Sequence, residues 1–241
     1  QMITFTITEK GYALTGMDGS FTPLAEKDFA AGPEKCVSAM GKVTALLLER
    51  YKAGKYPMAV VSTDNCSRNG EKIRSSVVTM VDKWLANGFV SQDFASWVED
   101  ESNVSFPWTM IDKITPRPAP AVEKALADAG FEGMKVKVTS KNGYTAAFVN
   151  AEKPQYLVIE DRFPNGRPPL EKAGVFMTDR DTVNNVERMK VMTCLNPLHT
   201  ALAVYGCVLG YDSIAAELQD PELKGLIEKI GYVEGMPVVT D

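Results

Sequence analysis

A lysine, an asparagine and a histidine, with a glutamate ahead of them, fall within 13 residues in the run Glu187-Arg188-Met189-Lys190-Val191-Met192-Thr193-Cys194-Leu195-Asn196-Pro197-Leu198-His199, and His199 is the chain's only histidine. These types together suit chemistry at a carbonyl or an alcohol. A lysine of lowered pKa moves a proton, an amide donates to an oxyanion, and an imidazole orients the substrate. No other segment holds so many unlike polar groups so closely.

Each residue also has a purely structural reading. Asn196 before Pro197 is the ordinary pattern of an N-cap followed by proline at the first helical position. Lys190 alone reads as a solvated lysine, and His199 alone as a satisfied histidine. On one straight α-helix, at about 100° per residue, Asn196 and His199 lie about 60° apart, while Lys190 and His199 point in opposite directions. A residue before proline is pushed out of the α region, so the helix is expected to break near Asn196. Such a break lets Lys190 and His199 converge from two segments.

Composition bounds the rest. The chain has 241 residues, 45% hydrophobic and 24% charged, enough for one large or two modest domains. A net charge of −5, with no run of Lys or Arg, argues against a nucleic-acid surface. No stretch approaches the roughly 18 apolar residues of a membrane span, and no signal-peptide pattern opens the sequence. The four cysteines, Cys36, Cys66, Cys194 and Cys207, form no C-x-x-C pair, and with one histidine they make a structural zinc site improbable. Reduced thiols in the cytoplasm are the simplest account.

The elements that would position the site alternate before turning helical. Met2 to Thr8 reads as a strand, and a helical pattern starts at Pro33 and runs through Val37, Met40, Val43, Leu46 and Leu47 to Tyr51. Residues 57–62 read as a short buried strand of the parallel kind. The polar turn Thr63-Asp64-Asn65-Cys66-Ser67-Arg68-Asn69-Gly70 follows, then a helix from about Glu71 to Ala86. That order places functional groups at the carboxyl end of a parallel strand. Three prolines at 116, 118 and 120 mark a boundary after Ile114. Two β-like runs, 135–139 and 155–160, come next, and helices dominate from about Asp181.

Four segments, in order, resemble the mannitol dehydrogenase family of long-chain, zinc-independent polyol and uronate dehydrogenases. They are Thr8-Glu9-Lys10-Gly11-Tyr12; Ser62-x-Asp64-Asn65-x-x-x-Asn69-Gly70; Phe106-Pro107-Trp108-Thr109-Met110-Ile111-Asp112-Lys113-Ile114-Thr115-Pro116; and Ile159-Glu160-Asp161-Arg162-Phe163-Pro164-Asn165-Gly166-Arg167-Pro168 taken with the later Lys190…Asn196-x-x-His199. The context is that of the uronate-type members. The resemblance implies an α/β fold: part of a Rossmann-like nucleotide-binding domain over residues 1 to 114, then most of a mainly helical substrate domain over 115 to 241, both incomplete. It implies NAD as cofactor, with NADP not excluded, and interconversion of D-fructuronate and D-mannonate. Tagaturonate or a polyol such as mannitol is the neighbouring substrate, and a non-catalytic remnant is the competing class.

Residue roles follow from the same match. Lys190 would be the general acid/base, Asn65 and Asn196 the oxyanion hole, His199 the substrate-orienting group, and Glu187 a relay of the proton to solvent. Asp112 and Asn65 would also lie at the cofactor. An exposed lysine near 10.4 is a poor base at neutral pH, so partial burial is expected at Lys190. A uronate carboxylate calls for a cation, and Arg68 and Arg167, both in polar turns, are the candidates.

Two departures stand out. The family has five steps from the lysine to the asparagine and this chain has six; the extra residue is placed between Val191 and Leu195. No G-x-G-x-x-G occurs, since Gly11, Gly16 and Gly19 are wrongly spaced, so the pyrophosphate turn lies outside these residues. The expectation is an internal portion of a longer reductase, with an unpaired sheet edge open to self-association.

Overall fold

The computed structural model describes residues 1–140, 142–151, 153 and 155–239. Strand β1 (Met2–Phe5) leads through the short α1 (Glu9–Tyr12) to α2 (Pro23–Ala31) and α3 (Ala39–Lys52). Strand β2 (Met58–Ser62), α4 (Asn69–Ala86), α5 (Gln92–Glu99) and β3 (Val104–Ser105) follow. The three strands form a parallel sheet in the order β1-β2-β3, with Met2 beside Ala59 and Met58 beside Val104. Every residue of β2 is buried, as the unbroken apolar run Met58-Ala59-Val60-Val61 requires of a strand covered on both faces. Met40, Val43 and Leu47 of α3 and Ile73, Val77, Met80 and Trp84 of α4 join one hydrophobic cluster over this sheet.

Two expectations need correcting here. The helical pattern read from Pro33 begins at Ala39, where the Ser38 hydroxyl accepts the Gly41 N–H at 3.0 Å. Before it, the buried Asp28 carboxylate accepts the N–H groups of Val37 and Ser38 at 2.8 and 2.9 Å, which holds that segment as a turn. The helix Pro23–Ala31 was not foreseen, although a Thr22 cap and Pro23 at its start are ordinary helix signals. Strand β1 also stops at Phe5, with Thr8 already at the N-cap position of α1.

Strand β4 (Thr109–Asp112), α6 (Pro120–Asp128), β5 (Lys137–Val138), β6 (Tyr144–Thr145), β7 (Tyr156–Glu160) and β8 (Phe176–Thr178) come next. A second sheet runs β4-β7-β8, with β4 antiparallel to β7 and β7 parallel to β8. The proline-rich segment 115–120 therefore lies between strands that pair across it.

Helix α7 (Arg180–Glu187) starts where the Asp179 carboxylate accepts the Thr182 N–H at 2.7 Å. It passes into a π-helical segment, Arg188–Leu195, and then into α8 (Asn196–Leu209), which ends at Gly210 with φ +84°. The expected break near Asn196 does not occur. Asn196 is helical, with φ −65° and ψ −44°, and does not act as an N-cap. Proline clashes with the carbonyl four residues before it, here that of Thr193, and the wider π turn relieves that clash. A π segment is also how an α-helix takes up one extra residue, and it spans the interval where the sequence carries one. With no break, Arg180–Leu209 is one 30-residue helix, long and apolar enough by length and composition to cross a membrane, which the sequence reading did not anticipate. Beyond it lie α9 (Ile214–Glu217), α10 (Pro221–Glu228), a second π segment (Lys229–Gly235) and α11 (Met236–Val239).

Candidate functional site

The loop after β2 is fixed from beneath. Asp64 is buried and accepts from the hydroxyls of Tyr12 and Ser62 through Oδ2 and from the Cys66 N–H at 3.0 Å through Oδ1. Burial, and then the hydrogen bond to Asp64, push the Tyr12 phenol up, so it stays a donor. Asn69 is fully buried; its amide donates to Thr109 Oγ1 at 2.8 Å and to Asp64 Oδ1 at 3.2 Å, and its carbonyl accepts the N–H of Thr109 at 3.0 Å and of Gly70 at 2.8 Å. Gly70 packs so closely on the Phe106 carbonyl and the Trp108 ring that a Cβ there would collide with both. Three of the motifs read in the sequence thus form one buried polar network. Its product is the exposed Asn65, whose side chain makes no hydrogen bond among the described residues.

Lys190 comes to this loop from the π segment. Its side chain is 10% exposed, and Nζ donates to Asp112 Oδ1 at 2.7 Å and to the Ile111 carbonyl at 3.0 Å. The expectation of burial holds. Lys190, Val191 and Leu195 share a cleft of about 910 Å³ with Thr6, Thr8, Asn65, Ser67, Asp112 and Lys113. The cleft opens at the carboxyl ends of β1 and β2, where open parallel sheets bind ligands. Ammonium, carboxylate and a free amide around one polar cleft suit proton transfer to an oxygen.

Glu187 is buried beside this cleft, but its carboxylate does not reach Lys190. Oε1 accepts the Ser67 hydroxyl at 2.5 Å and Oε2 the Arg68 backbone N–H at 3.0 Å. Arg68 has φ +49° just before α4, a conformation that a non-glycine residue holds only when its surroundings impose it. A carboxylate at this N-terminus of α4 also meets the positive end of the helix dipole.

The remaining predicted residues are less convergent. Asn196 and His199 are exposed on the first turn of α8, beyond Leu195 at the cleft wall. The His199 Nδ1 lies 2.9 Å from the Leu195 carbonyl, so Nδ1 carries the proton and Nε2 is left as an acceptor in the neutral ring. The Arg68 guanidinium sits over Trp108, 5.8 Å from the ring centre, in a groove that adjoins the cleft at Glu9 and Ser67. Arg167 does not reach the cleft wall: it holds Asp161 by two hydrogen bonds of 2.7 Å and Glu171 by one of 2.6 Å, and is only 18% exposed. The sequence reading missed Ser67, Tyr12, Lys113 and Tyr156, whose ring centre lies 5.6 Å from Lys190 Nζ. Tyr12, Ser67 and Lys113 stand inside motifs already singled out, Ser67 at an unspecified position of its motif; Tyr156 carried no such mark.

A parallel sheet with a polar loop at its strand ends, faced by a buried lysine, is the frame of a Rossmann-type dehydrogenase. The model of the mannitol dehydrogenase Rossmann domain matches residues 3–172. The chain is 53% identical to the D-mannonate oxidoreductase of Thermotoga maritima, over 100% of this chain and 44% of that protein. It superposes on substrate-free D-sorbitol dehydrogenase with a TM-score of 0.74 at 30% identity, covering 95% of this chain and 43% of that one. A mannitol 2-dehydrogenase of Pseudomonas fluorescens, in a ternary complex with NAD and D-mannitol, gives 0.74 at 29% identity over 98% and 44%. The chain belongs to the mannitol dehydrogenase family. The resemblance carried by the four motifs is borne out, and the chain spans less than half the length of these relatives.

Proposed function

We propose that the protein is an NAD(H)-dependent oxidoreductase that interconverts D-fructuronate and D-mannonate, with Lys190 as its proton-transfer group. The observation that carries this reading is the buried Lys190 ammonium, 2.7 Å from Asp112 in a cleft that also presents the unpartnered Asn65 amide. The cleft fits the nicotinamide end of a dinucleotide, being polar and set at the ends of β1 and β2, with Thr6, Thr8, Asn65 and Asp112 available to hold it. When bound, the nicotinamide supplies a hydride to the substrate carbonyl carbon or takes one from the alcohol carbon.

The chain's own residues do the rest. Two of the three Lys190 N–H donors are held by Ile111 and Asp112, which leaves one for the substrate oxygen. In reduction that oxygen takes the proton from Nζ as its negative charge develops, while the Asn65 amide donates to it. In oxidation Lys190 takes the proton back. Asn196 and His199 stand beyond Leu195 at the edge of the cleft, where His199 Nε2 can accept from a substrate hydroxyl. Glu187 acts by holding the Asn65 loop against the π segment rather than by relaying a proton. Arg68 meets the uronate carboxylate, a task that Arg167, committed to Asp161 and Glu171, does not share. The nucleotide side comes from residues 1 to about 114 and the proton-transfer side from residues 115 to 241. The four unpaired cysteines fit a cytoplasmic enzyme. Comparing kcat/KM for D-fructuronate and D-fructose with NADH is the test. A clear preference for fructuronate is expected, and a preference for fructose would move the assignment to a polyol dehydrogenase.

A further inference from the structure

The enclosure of Lys190 has a third wall to which the proton-transfer reading gives no role. Strands β4 and β7 pair with Asp112 directly opposite Tyr156, so both side chains leave the same face of the sheet. The π segment lays Lys190 across that face, with Nζ 2.7 Å from Asp112 Oδ1 and 5.6 Å from the centre of the Tyr156 ring. That separation is within the range of a cation–π contact. Tyr156 is itself anchored, packing with Val191 of the π segment on the cluster of Met110, Val158 and Val183. Its hydroxyl is buried and has no hydrogen-bond partner among the described residues. The ring, not the hydroxyl, is therefore the part of this residue that meets the site.

We propose that Tyr156 is a positioning residue for Lys190, its ring face holding the ammonium against Asp112 and closing the space behind it to water. This rests on the reading of Lys190 as the proton-transfer group. The chemistry favours an aromatic wall over a polar one. An ammonium has three donors, and Ile111 and Asp112 take two. A hydrogen-bonding side chain in place of the ring would take the third, which the substrate oxygen needs. A π face stabilises the charge and leaves that donor free. The neighbouring Asp112 carboxylate also explains why the phenol stays neutral here, since its charge adds to burial in raising the Tyr156 pKa.

The test compares Tyr156→Phe, Tyr156→Trp and Tyr156→Leu with Lys190→Ala in the full-length protein. Tyr156→Phe and Tyr156→Trp keep a ring and should keep most of the wild-type kcat. Tyr156→Leu should lose about thirtyfold in kcat, the size of a desolvated cation–π contact, with KM for NADH unchanged. Its pH–kcat profile should also differ from that of Tyr156→Phe, which keeps the ring. Should Tyr156→Leu melt below the assay temperature, Tyr156→Met, of similar volume and without a π face, is measured in its place against the same outcomes. A phenylalanine variant as impaired as the leucine one would overturn the inference, because it would assign the effect to the hydroxyl. So would a leucine or methionine variant with wild-type kcat and pH profile while Lys190→Ala is inactive. Normal turnover in Lys190→Ala would instead remove the underlying reading.

Discussion

The loop that presents Asn65 and the helix that presents Lys190 meet at one cleft, yet they are held in opposite ways. The loop is fixed from below by buried polar groups: Tyr12, Ser62, Asp64, Asn69 and Thr109 satisfy one another, and the exposed Asn65 side chain stands outside their network. The helix is fixed from one side. Glu187 and Lys190 are buried, while Met189, Met192, Asn196 and His199 on the same stretch are exposed. A buried network is costly to leave half-satisfied, so it specifies one loop conformation. A π segment positions its lysine through whatever faces it, here Asp112, the Ile111 carbonyl and Tyr156. Precision comes from hydrogen bonds on one side of the cleft and from a three-walled enclosure on the other.

The comparison breaks first at Asn65. Because its side chain is exposed and makes no hydrogen bond among the described residues, Asn65→Ala should leave stability within about 0.5 kcal/mol of wild type. As a donor to the developing oxyanion its loss should lower kcat by about 10² to 10³. Lost stability with intact kcat would instead make Asn65 part of the loop's scaffold.

Glu187 is where the two regions touch. Removing it breaks the hydrogen bonds from the Ser67 hydroxyl and the Arg68 N–H to a charged carboxylate, and such bonds are worth about 1.5–3 kcal/mol. Glu187→Ala should therefore lower Tm by several degrees, since each kcal/mol is worth about 2–4 °C in a protein of this size. Glu187→Gln, which keeps one acceptor oxygen, should fall between the two. Equal melting temperatures for all three proteins would mean that the loop and the helix are coupled elsewhere.

The smallest effect is a titration. Burial first, and then the charge of Asp112, push the Tyr156 phenol up to about 12. The folded state keeps this proton where the unfolded chain, titrating near 10, releases it. The stability tied to it is full below about pH 10 and is lost as pH rises toward about 12. Alkaline absorbance titration should show a tyrosine step near 12 that disappears in Tyr156→Phe. A step near 10 in its place would mean that water reaches the phenol and the third wall is open.

The sequence exposed the loop side of the cleft more fully than the helix side. Ser62 to Gly70 and Phe106 to Pro116 are contiguous motifs, so the family resemblance they carry pointed to Asn65 and Asp112, and the all-apolar run of β2 already implied a parallel strand. The helix side depended on longer-range facts. Tyr156 faces Lys190 only because β7 takes a register that sets it opposite Asp112, and nothing local to residues 155–160 announces that pairing. The break expected at Asn196 failed because the rule for residues before proline assumes an α-helix, whereas a π turn moves the clashing carbonyl aside. The extra residue between Lys190 and Asn196 was visible, but its structural outcome was not. Arg167 looked free in its Pro-Asn-Gly-Arg-Pro turn until folding brought Asp161 and Glu171 against it.

The central claim is that Lys190 moves the proton. Measuring kcat for D-fructuronate reduction by Lys190→Ala, with the Kd for NADH measured on the same preparation, tests it most directly. The account predicts a fall in kcat of about 10² to 10⁴ with the Kd little changed. Turnover near that of the wild type would contradict it and turn attention to His199.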